Sequence, residues 1–167
     1  MAALPLWPDE PVEAIMQVMA RAFEPQFGEA WNRRQVADAL VLGTCRYGLI
    51  GHDGSVDDTI AGGVRGATTV GFFMARQSLD DEELLLFALD RAWRQRGLGG
   101  QLLDSFCAGA ARRGTRRIFL EMRDGNPAAS LYESRGFQQV GKRPAYYRGK
   151  DGAQYDALTF QRVVAAT

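Results

Sequence analysis

Apolar side chains near the start of the chain recur at intervals of three and four residues, the spacing of one face of a helix. The first such stretch follows Pro11, which suits the opening turn of a helix, and predicts a helix over residues 11–23. A second helix is predicted over residues 29–42. The expected inward positions are Val12, Ile15, Met16, Met19 and Phe23 in the first helix and Trp31, Val36, Ala39 and Leu40 in the second.

Further along the chain, short apolar runs bounded by Gly, Pro, Asn and Asp are typical of strands. The acidic segment 78–83 is predicted to be a turn, and residues 51–67, rich in Gly and Asp, a loop or a loose hairpin. The predicted strands are residues 44–50, 70–76, 84–89, 118–123, 137–142 and 157–163, and further helices are predicted at 98–113 and from Pro127 to Arg135, with Gly136 ending the last one. This order predicts one α/β domain over residues 1–167 with a mixed sheet.

The composition narrows the class of protein. With 167 residues, 46% of them hydrophobic and 24% charged, the chain fits a globular domain and not a disordered, collagen-like or coiled-coil protein. No apolar run approaches the roughly 20 residues of a membrane span. The first residues lack the basic start of a signal peptide, so we expect a cytoplasmic protein without a membrane partner.

The balanced charge hides an asymmetry between the two halves. Residues 1–90 hold 6 basic and 14 acidic side chains, whereas residues 91–167 hold 14 basic and 6 acidic ones. Either both halves simply present solvated faces, or the second half holds an anionic ligand and the first receives a cationic substrate. Nucleic acid is not favoured as a partner, because the chain lacks the overall basic charge of duplex-binding domains.

Cysteine and histidine offer little catalytic chemistry. Cys45 and Cys107 lie far apart without metal-ligand spacing, so we expect two reduced thiols and no metal site. His52 is the single histidine and has no obvious partner in the sequence. Histidine-dependent nucleophilic catalysis is therefore disfavoured.

One segment joins a strand, a glycine-rich turn and a helix. The apolar strand at 84–89 leads into Arg94-Gln95-Arg96-Gly97-Leu98-Gly99-Gly100, where the next helix begins. Free N–H groups at a helix start favour an anion, the helix dipole adds to them, and glycines let a phosphate approach the backbone. The segment predicts a phosphate or pyrophosphate ligand, with a plain strand-to-helix turn as the alternative.

Two common phosphate motifs do not fit this segment. A P-loop ends in Gly-Lys-Ser/Thr, but the first lysine of the chain is Lys142. A dinucleotide fingerprint needs a third glycine at the position where this chain has Leu102.

Three ordered motifs together resemble the GNAT acetyltransferases. The pattern Arg94-x-x-Gly97-x-Gly99 after an apolar strand resembles their acetyl-coenzyme A signature. Leu120-Glu121-Met122-Arg123 with Asn126, and Leu131 to Phe137 followed by Tyr146-Tyr147, resemble the bacterial ribosomal-protein-alanine N-acetyltransferases (RimI type). The resemblance covers residues 68–162. It implies a GNAT fold, in which a mixed, mostly antiparallel sheet is splayed at its middle and carries helices on both faces.

The resemblance also implies a site. Glu121 matches the general base, and Tyr132 matches the acid that protonates the departing thiolate. The positions that match contacts to acetyl-CoA are Phe87, Ala88 and Leu89 on the strand, Arg94, Gln95, Arg96, Gly97, Leu98, Gly99 and Gly100 in the turn, and Asn126. No metal is implied.

The residues alone leave other interpretations open. Glu121 alternates with apolar neighbours along the strand and could face solvent. Tyr132 could have only a packing role in its short helix. Asn126 precedes Pro127 and could act as a helix N-cap. The stretch from Asn126 to Tyr132 is also one residue shorter than the family pattern, and one residue turns a helix by about 100°.

The resemblance implies acetyl transfer to a protein N-terminal amine, with the N-terminal alanine of a small-subunit ribosomal protein as the expected acceptor. An α-amine, with a pKa of about 7.7–8.0, costs less to deprotonate than a lysine with a pKa of about 10.4. A GNAT enzyme acting on a small-molecule amine and a non-catalytic acyl-CoA-binding module are the alternatives. We expect a monomer or a weak dimer.

Overall fold

The computed structural model of the protein describes residues 9–57 and 68–164. The helices are α1 (Asp9–Ala22), α2 (Arg33–Val41), α3 (Leu98–Arg112) and α4 (Ala129–Ser134), with short 3₁₀ turns at Pro25–Phe27 and Arg91–Trp93. The strands are β1 (Cys45–Gly51), β2 (Val56–Asp57), β3 (Thr69–Ser78), β4 (Asp81–Leu89), β5 (Arg117–Arg123), β6 (Gln138–Arg148) and β7 (Gln154–Val163).

The described strands form one sheet of seven strands in the order β2-β1-β3-β4-β5-β7-β6. All of these pairs are antiparallel except β4 with β5. The parallel pair joins only residues 81–84 of β4 to residues 117–120 of β5. Beyond these residues the two strands separate, which opens a V-shaped cleft at the middle of the sheet. The predicted fold, mixed, mostly antiparallel and splayed, is confirmed.

Two apolar cores cover the two faces of the sheet. One packs α3 and α4 against the sheet, and the other packs α1 and α2 against the opposite face. A β-bulge at Leu85 changes the face of the sheet to which the next side chain of β4 points. Leu84 pairs with Ala75 and Leu86 with Met74 on β3, so Leu85 is an extra residue without a paired position. Leu84 therefore joins the α3 core and Leu86 the α1 core, at the point where β4 leaves β5.

The prediction of an acidic turn over residues 78–83 is wrong in extent. Only Leu79 and Asp80 form the turn, and the next three acidic residues belong to β4. Each of them has an arginine partner, since Asp81 pairs with Arg117, Glu82 with Arg113 and Glu83 with Arg76. These ion pairs override the low strand propensity of acidic residues.

The second helix also begins later than predicted. A capping box starts it, in which the Asn32 side chain accepts from the Gln35 N–H and the Gln35 side chain accepts from the Asn32 N–H. Residues 23–32 therefore form a connection, called the α1–α2 connection below. This connection proves important for the site.

The structure also bears on the cysteines, on the segment after β1 and on membrane-spanning helices. Cys45 and Cys107 are free thiols, as predicted. Residues 51–57 form a hairpin between β1 and β2, while residues 58–67 lie outside the described part of the chain. No helix within residues 9–57 and 68–164 is long and apolar enough to cross a bilayer.

Candidate active site

The cleft between β4 and β5 contains several residues predicted from the motifs. Phe87, Glu121, Asn126 and Tyr132 all line it. Ala88 and Leu89 follow Phe87 on β4 and pack into the α1 core and the α3 core, respectively. Because β5 pairs with β4 only as far as Leu84, the backbone of residues 85–89 lacks β5 as a partner on the cleft side.

The glycine-rich turn joins the end of β4 to α3, which begins at Leu98. Gln95 and Gly97 both have positive φ, at 60° and 81°. Backbone that alternates in this way forms a concave nest of N–H groups, and the free N–H groups at the start of α3 add to it. Gly97 is the N-cap of α3, and its left-handed conformation explains why glycine stands there.

The two arginines of this turn occupy different places. Arg94 donates to the carbonyl of Leu89 at 3.2 Å and to that of Ala22 at 2.8 Å, which ties the turn to the end of α1. Arg96 lies over the ring of Trp93 at 4.8 Å and is exposed. Arg94 therefore has a structural role in this arrangement, while Arg96 keeps its charge at the surface.

Glu121 lies on β5 with its carboxylate on the side of the α1–α2 connection. Arg143 on β6 contacts this carboxylate at 3.1 Å, and the Thr159 hydroxyl on β7 donates to it at 3.4 Å. Its side chain is 21% exposed. Among the described residues, Glu121 alone borders the cleft, a second cavity against the α1–α2 connection and an outer cavity near Arg143.

Tyr132 is fixed by the end of α4. The Gly136 N–H donates to the Glu133 carbonyl and the Phe137 N–H to the Tyr132 carbonyl, both at 3.1 Å, which is a Schellman motif. The ring of Tyr132 contacts those of Phe137 and Phe87, with centroids 5.7 Å and 6.0 Å away. Burial, with a contribution from the charge of Glu29, raises the pKa of Tyr132 well above its usual value, so its hydroxyl stays protonated.

Asn126 is not the N-cap of α4, a position that Ala128 occupies, but it stabilises the turn before this helix. Its side-chain oxygen accepts from the Ala128 N–H at 2.9 Å, just before α4, and the residue also borders the cleft. Tyr132 borders the same cleft, so the shortened stretch between the two residues does not separate them.

The α1–α2 connection, which carries no recognised motif, forms one wall of a second cavity, called the acceptor cavity below. This cavity has a volume of about 620 Å³ and lies between the α1–α2 connection and β6. The described residues that line it include Gly28, Glu29, Ala30, Trp31, Gln35, Glu83, Leu84, Leu85, Leu86, Glu121, Tyr146, Tyr147 and Arg148. This cavity and the cleft share Glu29, Glu121 and Tyr147 among their polar side chains.

Sequence reasoning missed Glu29 as a site residue and gave Tyr147 no role. Burial raises the pKa of Glu29, while the Arg123 guanidinium opposes this shift. Burial and the charges of Glu29 and Glu121 raise the pKa of Tyr147 to about 12. The capping box at Asn32 is the signal that could have placed Glu29 outside the helix.

The α1–α2 connection is fastened to β5 and to the β6–β7 hairpin. The Lys150 N–H donates to the Gln26 carbonyl at 3.0 Å. Arg123 contacts Glu29 at 3.4 Å, and its guanidinium lies 3.7 Å from the centre of the Phe27 ring. These contacts fix one wall of the acceptor cavity.

Comparisons with known proteins identify relatives of this chain. The [Ribosomal protein bS18]-alanine N-acetyltransferase of Escherichia coli (strain K12) is 36% identical over 88 residues, which are 52% of this chain and 59% of that protein. The protein of the same name from Haemophilus influenzae is 30% identical over 89 residues, 53% of this chain and 61% of that one. The chain thus spans about three fifths of the length of the curated relatives it matches.

A solved structure and a family model extend the comparison. The crystal structure of the ribosomal-protein-S18-alanine N-acetyltransferase from Escherichia coli is similar, with a TM-score of 0.74 at 25% identity, over 93% of this chain and 89% of that chain. The family model described as "Acetyltransferase (GNAT) domain" matches residues 36–139. The match covers more than half of the chain, which therefore belongs to the GNAT acetyltransferase family.

Proposed function

We propose that the protein transfers the acetyl group of acetyl-CoA to the α-amine of a protein N-terminus. The expected acceptor is the N-terminal alanine of a small-subunit ribosomal protein, in line with the names of the relatives. The observation that carries the proposal is the position of Glu121, which borders both the cleft and the acceptor cavity. A carboxylate at this junction can meet an amine that approaches an acyl group in the cleft.

The cofactor side of the proposal rests on the fit between the residues and acetyl-CoA. The open backbone edge at Phe87, Ala88 and Leu89 can pair with the amide groups of the pantetheine arm. The nest over residues 95–100 offers N–H groups to the pyrophosphate. Asn126 stands at the same cleft.

In the proposed reaction, the neutral amine nitrogen forms a bond to the thioester carbon and the carbon–sulfur bond breaks. Glu121 takes the proton that the amine loses, and Tyr132 gives its hydroxyl proton to the departing thiolate. The free backbone N–H groups of β4 are suited to polarise the thioester carbonyl, as an oxyanion hole does.

The acceptor cavity favours a peptide over a small amine. It is open to solvent and extends beyond Glu121 along a wall that includes Trp31, Tyr146 and Arg148. Its lining mixes aromatic and charged side chains. A closed, apolar pocket would instead favour a small-molecule amine as the acceptor.

The experiment measures acetyl-CoA turnover with a peptide that begins Ala-Arg-Tyr. A peptide with a blocked N-terminus and the Glu121→Gln enzyme are the two negative arms, and Glu133→Gln, an exposed residue on α4, is the matched control. Turnover that disappears in both negative arms supports N-terminal acetylation with Glu121 as base. Turnover with small amines alone, or acetyl-CoA binding without any turnover, would contradict the proposal in favour of one of the two alternatives.

A further inference from the structure

Two carboxylates border both the cleft and the acceptor cavity, and they are held differently. Glu121 contacts Arg143 at 3.1 Å and accepts from Thr159, and its charge is thus supported from two strands. Glu29 lies on the α1–α2 connection and is only 13% exposed. The Coulomb partner that the structure gives Glu29 is Arg123, at 3.4 Å.

We propose that Glu29 receives the terminal ammonium group of the acceptor and that Arg123 is the positioning residue that holds Glu29 at the cavity. The proposal rests on the proposed function in taking the acceptor to be an amine. It divides the work between the two carboxylates. Glu29 holds the charged amine until it loses one proton to solvent, and Glu121 takes the second proton as the neutral amine forms its bond to the acetyl carbon.

The contacts of Arg123 suit it to holding Glu29 in place. Its guanidinium lies between aromatic rings, 3.7 Å from the centre of Phe27 and 5.4 Å from that of Tyr155. Its Nε lies 3.4 Å from Oε1 of Glu29. Arg123 also lowers the pKa of Glu29 through hydrogen bonds from its backbone and side chain, and a carboxylate, with about four acceptor sites, keeps capacity for a second cation.

The charged and titratable groups around Glu29 come from its own connection and from three other elements. Arg123 on β5 lowers its pKa, and Glu24 on the same connection raises it. Tyr132 on α4 and Tyr147 on β6 both have a pKa raised in part by the charge of Glu29. An ammonium group in the shared space would therefore be stabilised by Glu29, and it could donate to the hydroxyl oxygens of the two neutral tyrosines.

The test compares two peptides that differ at a single group. One begins with the ordinary α-amine, and the other carries a hydroxyl in place of that amine, which removes the charge at nearly constant shape. Both are titrated by calorimetry into the full-length protein with CoA present, so that no acetyl group is transferred. The wild-type protein should bind the amine peptide at least about tenfold more tightly, because a hydrogen bond to a charged group is the stronger kind.

Glu29→Gln should reduce this preference by about three- to tenfold, because Glu121 still borders the cavity, and should change the affinity for the hydroxyl peptide less. The matched control is Glu24→Gln, which makes the same change on the same connection but lies outside both cavities, and it should keep the preference. An unchanged preference in Glu29→Gln would overturn the proposal, and so would an equal loss in Glu24→Gln.

The role of Arg123 is tested by pH. The part of the preference that depends on Glu29 requires its ionised form, so this part is present above the pKa of Glu29 and lost as the pH falls through that value. Arg123→Met removes the charge that lowers this pKa, so this part of the preference should disappear at a higher pH than in the wild type. Arg123→Lys keeps the charge and should restore the wild-type profile. A uniform loss of affinity for both peptides at every pH would show that Arg123 acts only in folding.

These outcomes are separable from those of the proposed function. The peptide preference is measured without turnover, so a protein that never transfers acetyl could still show it. Conversely, acetyl transfer that requires Glu121 but shows no dependence of peptide binding on Glu29 would leave the proposed function intact and remove this inference alone.

Discussion

The two sides of the site are built in different ways. The cofactor side is one nearly continuous stretch, in which β4, the glycine-rich turn, α3 and β5 follow each other between residues 81 and 123. The acceptor side joins the α1–α2 connection to β6, more than 100 residues later in the chain. Local backbone geometry therefore specifies the first side, whereas only tertiary contacts specify the second.

The contacts that hold the two sides also differ. At the start of β4, the buried Glu82 accepts two bonds from Arg113, at 2.7 Å and 2.8 Å, and one from the Thr115 hydroxyl at 2.8 Å. The acceptor side is held by the Arg123–Glu29 pair, by the contact of Arg123 with the Phe27 ring and by the backbone hydrogen bond from Lys150 to Gln26. We expect substitutions on the first side to affect folding and those on the second to affect acceptor binding.

The largest effect is expected at Glu82. Glu82→Ala leaves Arg113 without its buried partner, so the free energy of unfolding should fall by about 3–5 kcal/mol in chemical denaturation. The matched control is Glu83→Ala, whose partner Arg76 is half exposed, and it should cost no more than about 1 kcal/mol. Equal losses in the two variants would contradict the view that burial makes the difference.

The Glu82 carboxyl also makes the stability of the fold depend on pH. Burial raises the pKa of Glu82, but hydrogen bonds from Arg113 and Thr115 outweigh it and hold the pKa below the usual value. A lowered pKa stabilises the fold above the unfolded value of about 4.3, and this contribution is lost as the pH falls through the folded value. The acid limb of stability should therefore become shallower in Glu82→Gln.

The next largest effect is expected at Tyr132. Tyr132→Phe keeps the ring contacts with Phe87 and Phe137 but removes the proton donor, so kcat should fall by about a hundredfold with little change in the KM for acetyl-CoA. The control is Tyr47→Phe, because the Tyr47 hydroxyl is buried with no hydrogen-bond partner in the described chain. That variant should turn over normally and unfold no more easily. Normal turnover in Tyr132→Phe would contradict the role of Tyr132 as proton donor and would show that the side chain only packs.

The difference between the two sides also explains what the sequence could reveal. The cofactor side was predictable, because a strand, a glycine-rich turn with Gly97 and a helix with Gly136 after its end all leave local signatures. The α1–α2 connection leaves only the capping box at Asn32 and Gln35, and the helical spacing of residues 29–42 runs through Glu29 and hides it. What brings Glu29 to the site is Arg123, which is 94 residues away in sequence.

The β4 strand shows the same limit on a smaller scale. Its run of apolar residues predicts a strand but does not reveal the bulge at Leu85, because apolar residues on both faces give no alternation to interrupt. The acidic residues before it favour a turn by propensity and lie in the strand because three arginines pair with them. Long-range pairing of this kind is invisible in a single sequence.

Two matched glycine substitutions should affect the binding of acetyl-CoA and of the acceptor peptide separately. Gly97 and Gly28 have φ angles of 81° and 65°, so alanine at either position costs about 1–2 kcal/mol of backbone strain. Gly97→Ala should raise the KM for acetyl-CoA by about 5- to 30-fold, because the strain distorts the nest. In Gly28→Ala the added Cβ would also lie 2.8 Å from the Arg148 carbonyl, and the KM for the acceptor peptide should rise instead.

Steady-state kinetics with each substrate varied in turn decide this prediction. If both variants raised the same KM, the cofactor side and the acceptor side would not bind their substrates independently, which would contradict this prediction.

The smallest effect concerns the charge of the acceptor cavity. Its lining has three carboxylates, Glu29, Glu83 and Glu121, against the single guanidinium of Arg148 among the described residues. A basic peptide should therefore bind more weakly as salt increases, with a KM about two- to threefold higher at about 0.4 M than at about 0.05 M salt, since exposed charges are screened beyond the Debye length. A peptide in which the arginine is replaced by glutamine should show a smaller change, because fewer charges are then screened. If both peptides responded alike, the acidic first half of the chain would have no part in recognising the acceptor, and its excess of carboxylates would be explained by the ion pairs that hold β4 and by solvated surface alone.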